Sequence, residues 1–381
     1  MINISKLYCG LAGESDHLRY NKRNDFGPIA VFNCTKKCNL KCQHCYSNSD
    51  KSLSDVELNT AQAIDLLDQL KEANCPVVLF SGGEPLLRGD LFELLAYAKK
   101  IGLRTVISTN GTFIDERIAE KLAAVDIGYV GVSLDGPKRL HDKFRGIEDC
   151  FDRTITGFKN CGKAGIKAGL RFTITKDNKD CVGEMFDIAS ENGIRRICFY
   201  HLIGTGRAVE ISDQSLTPNQ TRTTMDTVIA KTREFVNKGL IDEVLTVGNH
   251  ADGPYVLVKM QQQSHPDFKK AKELLKINGG NKIGEKISCI SWDGSVYADQ
   301  FWRNYCLGNV TAKSFKDIWQ SDSDPVLFKL HNKDKFAARV CLGCKWFELC
   351  RGNYRFLGPD PSDENWVNEP KCYLTKEEIA K

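Results

Sequence analysis

The chain has 381 residues, 41% of them hydrophobic and 27% charged, with a formal net charge of +4. That balance suits a water-borne globular protein with a large catalytic domain and a smaller appendage. It excludes a nucleic-acid patch, because no dense Lys/Arg block occurs, and a membrane span, because no apolar run approaches ~18 residues.

Residues 1–27 read as a polar N-terminal extension without the apolar core of a secretory signal, so the expected location is the cytoplasm. From Pro28 to about Leu202, short runs rich in Val, Ile and Phe alternate with amphipathic helical patterns. Segments 29–32, 77–80, 104–108, 129–134, 168–174 and 196–202 are too short for helices and are predicted strands. Between them Ala63, Leu66, Leu67 and Leu70 recur at helical spacing. Leu91, Leu94, Leu95 and Ala98 do the same behind an Asp90…Glu93 pair that fits a capping box. Serial β–α units of this kind give parallel strands, in a barrel or an open doubly wound sheet, with the active site on the loops after the strand ends. Beyond Leu202 the pattern loosens. Segment 217–237 reads as one helix, and the surroundings of Gly253 and Gly279–Gly280 read as connectors. The predicted organisation is a 28–210 core, a helical connector over 211–285 and a loop-rich module over 286–381, too poor in apolar core to do without a metal staple.

Sixteen cysteines are too many for accident in a chain with no secretory signal. Cys38, Cys42 and Cys45, spaced C-x3-C-x2-C, follow the first predicted strand. Three thiolates on a four-iron cube leave one iron open to chelate a substrate. Zinc is the competing reading, with Cys34 or His44 as fourth ligand, although zinc sites favour pairwise spacing. Cys341, Cys344 and Cys350 give C-x2-C-x5-C, with Cys372 as a fourth thiolate. From the residues alone, a closed [4Fe–4S] site and a structural zinc fit these four equally. The other nine cysteines read as small buried apolar residues.

The first cluster resembles the signature of the radical S-adenosylmethionine (SAM) superfamily. That resemblance implies an α/β fold, a partial (β/α)6 TIM-type barrel with a small loop-rich C-terminal Fe–S module. It implies that Cys38, Cys42 and Cys45 ligate a [4Fe–4S] cluster and that His44 lies beside the adenine of SAM. Ser81-Gly82-Gly83-Glu84-Pro85 is similar to the motif in which bare glycine backbone and a carboxylate receive the SAM amino group. Ser108 and Asn110 in Ser108-Thr109-Asn110-Gly111, and Ser133 and Asp135 in Ser133-Leu134-Asp135-Gly136, match polar positions lining SAM. An external electron, from a donor of flavodoxin or ferredoxin type, then splits SAM to a 5′-deoxyadenosyl radical. The C-terminal cysteines resemble the second auxiliary cluster of SPASM-type members. The cysteines of a first auxiliary cluster are missing: Tyr354 stands near one position, and 293–299 contains none. Two clusters are therefore expected, with Cys289 and Cys306 as bystanders.

Within the SPASM group, Ile4-Ser5-Lys6-Leu7, Asn249-His250-Ala251-Asp252-Gly253-Pro254-Tyr255, Asn278-Gly279-Gly280 and Asp299-Gln300-Phe301-Trp302 resemble the tetrapyrrole-tailoring enzymes. These are the didecarboxysiroheme deacetylases and their haem d1 relatives. The implied substrate is an iron tetrapyrrole losing two acetate side chains, or propionates in the haem d1 branch. Aromatic faces and cationic or polar groups would bind such a macrocycle. The candidates are Arg145, Tyr200, His201, Arg207, His250, Asp252, Gln300 and Trp302, with the His250–Asp252 pair favoured because its loop is flanked by Gly and Pro. A peptide-modifying SPASM maturase ranks second, since such enzymes usually carry an N-terminal recognition domain. A zinc scaffold explains neither the Gly-Gly-Glu loop nor the Ser-Leu-Asp-Gly loop.

Overall fold

The Val, Ile and Phe runs form strands almost where periodicity places them. The computed structural model describes residues 1–11, 20, 26–52, 56–353 and 371–380. Its strands are β1 (Ile2–Asn3), β2 (Ile29–Thr35), β3 (Val78–Gly82), β4 (Thr105–Thr109), β5 (Val130–Ser133) and β6 (Ala168–Ile174). They continue with β7 (Arg196–His201), β8 (Glu243–Val247), β9 (Ile287–Ile290), β10 (Ser295–Tyr297) and β11 (Gly308–Asn309). All belong to one mixed sheet of order β1-β8-β7-β6-β5-β4-β3-β2-β9-β10-β11. Strands β2 to β8 are parallel in sequence order, β9 is parallel to β2, and β1, β10 and β11 are antiparallel to their neighbours.

Side chains alternate along each strand. Phe32, Phe80, Ile107, Val132, Phe172 and Phe199 point to the helix-covered face and are fully buried. Val31, Leu79, Ser81, Ser108, Ser133, Arg171, Thr173 and Tyr200 point the other way and line one cleft. In a flat sheet, strands about 4.8 Å apart would put the first and sixth about 24 Å from each other. Since β2 and β7 line the same cleft as the strands between them, the sheet is rolled around it. This is the expected α/β fold with an open, partial barrel. Among the described residues, no helix is long and apolar enough to cross a membrane.

The helices bury the stripes their spacing predicts. Helix Thr60–Glu72 buries Ala63, Leu66, Leu67 and Leu70, and Asn59 caps it through a box with Gln62. Helix Leu91–Lys100 buries Leu91, Leu94, Leu95 and Ala98. Its expected capping box is absent, because the Asp90 carboxylate accepts from Arg88 Nε at 2.7 Å, from Arg88 Nη2 at 3.0 Å and from Thr60 Oγ1 at 2.7 Å. A bidentate guanidinium outcompetes a backbone amide for that carboxylate. Helix Pro218–Asn237 has the expected extent, with Thr217 as its cap.

Three expectations change. The N-terminal segment is not a mere extension: β1 pairs with β8, and Ile2, Ile4, Leu7 and Tyr8 are buried in the core. The stretch expected as a helical connector contributes β8, a seventh parallel strand, whose central Val244, Leu245 and Thr246 are all buried and so show no alternation. Gly253 is no connector but sits inside helix Asp252–Gln262, where a Cβ would come within 2.9 Å of Leu275. The missing side chain lets helix Phe268–Asn278 pack close. If the N-terminal segment is core, Leu7→Ala loses about 2–5 kcal/mol, read as a lower midpoint in chemical denaturation; a midpoint unchanged from wild type would contradict the packing.

Candidate active site

The cysteine loop begins where β2 ends, and glycine backbone presses against it. Gly83 N donates to Thr35 O at 2.7 Å and Glu84 N to Lys37 O at 2.8 Å. A Cβ on Gly82 would lie 2.4 Å from Thr35 O, and one on Gly83 2.2 Å from Lys37 O. Arg207 clasps the far side of the loop, its Nε donating to Cys42 O at 2.8 Å and its Nη1 to Ser49 O at 2.9 Å. Arg145 lies below, paired with Asp135, and its Nη1 donates to Cys42 Sγ at 3.4 Å. Cys38 and Cys42 are buried and Cys45 partly so. Burial pushes the Cys38 thiol up to about 12 and raises that of Cys42, against which Arg145 acts. A thiolate here therefore needs compensating positive charge, which a metal centre brings.

Sulfur also receives backbone donors: Leu40 N lies 3.4 Å from Cys38 Sγ, Trp346 N 3.4 Å from Cys344 Sγ and Gly352 N 3.4 Å from Cys350 Sγ. Such N–H···S contacts stabilise iron–sulfur thiolates. Among the described residues, no three His, Cys, Asp or Glu side chains converge as ligands of one ion would. Thiolates met by backbone N–H donors are a donor set that fits an iron–sulfur cluster.

Glu84 is fully buried. It accepts from Thr109 Oγ1 at 2.7 Å, Asn110 N at 2.8 Å and Leu86 N at 3.2 Å. Burial raises its carboxyl to about 7 against those hydrogen bonds. Three donors leave it room for one more. Asn110 reaches back to the cysteine loop through Asn39 Oδ1 at 2.8 Å.

The rolled sheet, this loop and the C-terminal module surround one open cleft. His44, Ser108, Ser133, Tyr200, His201 and Gln300 line it, as sequence reasoning proposed. His44 stacks on Phe144 with centroids 4.5 Å apart, and its buried Nδ1 has no partner among the described residues. Burial lowers it to about 4, so the ring is neutral. Six sequence candidates are turned elsewhere. Trp302 is 1% exposed and packs in an apolar cluster with Ile283, Ala298, Val326 and Leu330. Arg207 is committed to the loop carbonyls, and Arg145 and Asp135 to each other. Asp252 does not act with His250: its carboxylate lies 3.0 Å from His201 Nε2 and accepts from Tyr373 OH at 2.7 Å. His250 instead donates its backbone N–H to Asn353 Oδ1 at 2.6 Å. Sequence reasoning missed Tyr46, Phe301, Thr173 and Arg171, all in the cleft. Period-two alternation along β6 would have found the last two.

Cys341, Cys344, Cys350 and Cys372 come together where segment 371–380 folds back on 339–353, tied by Lys345 N to Ile379 O at 3.1 Å and Trp346 Nε1 to Glu378 O at 2.8 Å. Burial pushes Cys341 up to about 11 and Cys350 to about 12. Gly280 lies under Cys350, whose carbonyl a Cβ would meet at 2.5 Å, and Asn281 N donates to that carbonyl at 2.9 Å. The Asn-Gly-Gly stretch is thus a seat for the cysteine turn. Of the other nine cysteines six are buried, Cys289 among them; Cys9 and Cys181 are half-buried, and Cys306 is exposed. Tyr354 lies outside the described residues.

Comparison with known proteins agrees with this geometry. Residues 32–189 match the Radical SAM superfamily, and residues 282–345 match the SPASM iron–sulfur cluster-binding domain. A Fe-coproporphyrin III synthase of Methanosarcina barkeri is 45% identical over 100% of this chain and 99% of its own. A Pre-heme d1 synthase of Dinoroseobacter shibae is 33% identical over 93% and 88%. The solved structure of Streptococcus suis SuiB with precursor peptide SuiA shares the fold, with a TM-score of 0.67 at 21% identity, covering 86% of this chain and 71% of that one. The chain belongs to the radical SAM superfamily and carries its SPASM module. It is an enzyme that works with SAM and iron–sulfur chemistry, related to tetrapyrrole-modifying synthases.

The Asp252 cluster generates a test of how the module is tied to the barrel. Asp252→Ala strands both His201 and Tyr373 and should cost about 1.5–3 kcal/mol, the usual worth of hydrogen bonds to a charged group. Urea denaturation followed by tryptophan fluorescence would read it, and a loss within error of zero would remove the carboxylate from any bracing role.

Proposed function

We propose that this enzyme removes two acetate side chains from 12,18-didecarboxysiroheme, leaving methyl groups and giving iron-coproporphyrin III. One observation carries the reading: the 45% identity to a Fe-coproporphyrin III synthase along essentially the full length of both chains. The cleft supports it. Tyr46, Tyr200 and Phe301 offer aromatic faces to a flat macrocycle, and Arg171, His201 and Gln300 offer polar partners to its carboxylates.

In this reading Cys38, Cys42 and Cys45 hold a [4Fe–4S] cluster, and Cys341, Cys344, Cys350 and Cys372 hold a second. The first cluster, held by those three thiolates, would supply one-electron reduction of SAM, with a flavodoxin or ferredoxin as the class of electron donor. The chain's own residues position and exclude. Gly82 and Gly83 present bare backbone, and Glu84 uses its remaining acceptor site for the SAM ammonium. Ser108, Asn110, Ser133 and Asp135 surround the nucleotide directly or by holding their neighbours. His44, neutral and stacked on Phe144, offers Nδ1 beside the adenine.

Incubated without air with reductant and SAM, the purified enzyme is expected to convert didecarboxysiroheme to iron-coproporphyrin III by mass spectrometry. Cys38→Ala should abolish 5′-deoxyadenosine release, and iron and sulfide should each approach about eight per chain, the content of two four-iron clusters. Four irons and one zinc would overturn the second cluster. Propionate loss in place of acetate would favour the activity suggested by the Pre-heme d1 synthase likeness.

The Glu84 carboxyl at about 7 gives a pH test. An ammonium ligand favours the ionised carboxylate, so SAM binding should tighten as pH rises towards about 7 and release a proton. Calorimetry in buffers of different ionisation enthalpy would show that release. Glu84→Gln should bind SAM more weakly and lose the acid limb; an unchanged limb would assign it to another group.

A further inference from the structure

The interior arginines are not equivalent. Arg88 pairs with Asp90 at 2.7 Å, Arg196 with Glu243 at 2.9 Å and Arg145 with Asp135, while Arg207 donates to backbone carbonyls. Arg171, in the middle of β6, has no such partner. Its Nη1 donates to Ser108 Oγ, and among the described residues it makes no ion pair. The ionisable groups that act on it most are Tyr200, Tyr129, Cys198 and Tyr46, none a carboxylate. Its place is built into the sheet. Gly131 stands opposite on β5 in register with Gly169, and a Cβ there would lie 2.1 Å from Arg171 Nε and 2.3 Å from Cζ. The bare position at 131 is what lets the guanidinium lie across the inside of the barrel, where it lines the cleft.

A guanidinium with no counter-ion on the inner face of a barrel is costly unless an anion arrives. Its planar fork matches a carboxylate with two parallel hydrogen bonds, and the Ser108 contact limits its rotation. We propose that Arg171 is the anchor for one carboxylate of the substrate, a specificity-determining residue that sets how an acidic side chain of the macrocycle enters the barrel. The inference rests on the tetrapyrrole reading and sharpens it. A second molecule in the site, SAM itself, also carries a carboxylate, and the experiment separates the two.

Arg171→Gln and Arg171→Lys would be prepared as cluster-loaded full-length enzymes and titrated with didecarboxysiroheme, followed by its visible absorbance, and separately with SAM. Arg171→Gln is expected to bind the macrocycle about 10–100-fold more weakly. Arg171→Lys, which keeps the charge without the fork, should fall between that variant and wild type. SAM affinity and the slow release of 5′-deoxyadenosine without substrate should remain at wild-type levels, which also certifies that the barrel is intact. Parallel loss of SAM affinity would assign the guanidinium to the methionine carboxylate and overturn the proposal. So would wild-type macrocycle affinity in Arg171→Gln. If Arg171→Gln loses iron, Gly131→Ala replaces it: the added methyl displaces the guanidinium without removing charge, and the same selective loss is expected. Wild type that neither binds nor converts the macrocycle defeats the functional reading as well, whereas a converting wild type beside an unaffected variant defeats only the role of Arg171.

Discussion

Two backbone carbonyls, those of Thr35 and Lys37, fix the geometry on which the rest of the site depends. They accept from Gly83 N and Glu84 N at 2.7 and 2.8 Å, an approach that leaves no room for side chains at 82 and 83. The end of β3 is therefore locked to the start of the cysteine loop. Glu84, turned inward by that lock, accepts from Thr109 and Asn110, and Asn110 hydrogen-bonds Asn39 in the loop. The circuit closes on itself with every buried polar member partnered, and such a network holds one geometry.

The C-terminal module is joined to the barrel by continuity. β9 extends the parallel sheet beside β2, in register from Ile29 opposite Ile287 to Phe32 opposite Ile290. Phe301, beyond the β9–β10 hairpin, reaches Tyr46 of the cysteine loop edge to face, with centroids 5.3 Å apart. At the other side of the cleft, Asp252 joins His201, at the end of β7, to Tyr373, next to Cys372. Asn249 adds a hydrogen bond to Lys371 O at 2.8 Å. The module therefore supplies part of the cleft wall through Gln300 and Phe301.

Much of this was legible in the sequence, for identifiable reasons. Parallel strands buried on the helix face read as dense Val, Ile and Phe runs, so β2 to β7 and the helical stripes at Leu66 and Leu94 came out nearly to the residue. The motif loops were legible because glycine at 82 and 83 has a steric cause at the backbone. What failed depended on distant partners. Asp90 resembles a helix cap until Arg88 is seen to hold it, and Gly253 resembles a connector until Leu275 is seen against it. β1 has only two residues and is a strand through its pairing with β8, which itself lies beside β7. Trp302 and Asp252 were singled out for residue type, whereas their neighbours decide what they do.

The same dependence on neighbours explains why arginine is divided between two jobs inside one barrel. Arg145 and Arg207 lie within reach of the cysteine loop, and their positive charge opposes protonation of His44. Burial acts in the same direction and is the largest effect, so the imidazole stays neutral although the Asp135 carboxylate favours its charged form. Neutrality leaves the ring able to stack on Phe144 while one nitrogen remains open to the cleft. Positive charge is thus kept where acceptors already fix it, and among the described residues lining the cleft Arg171 is the one guanidinium.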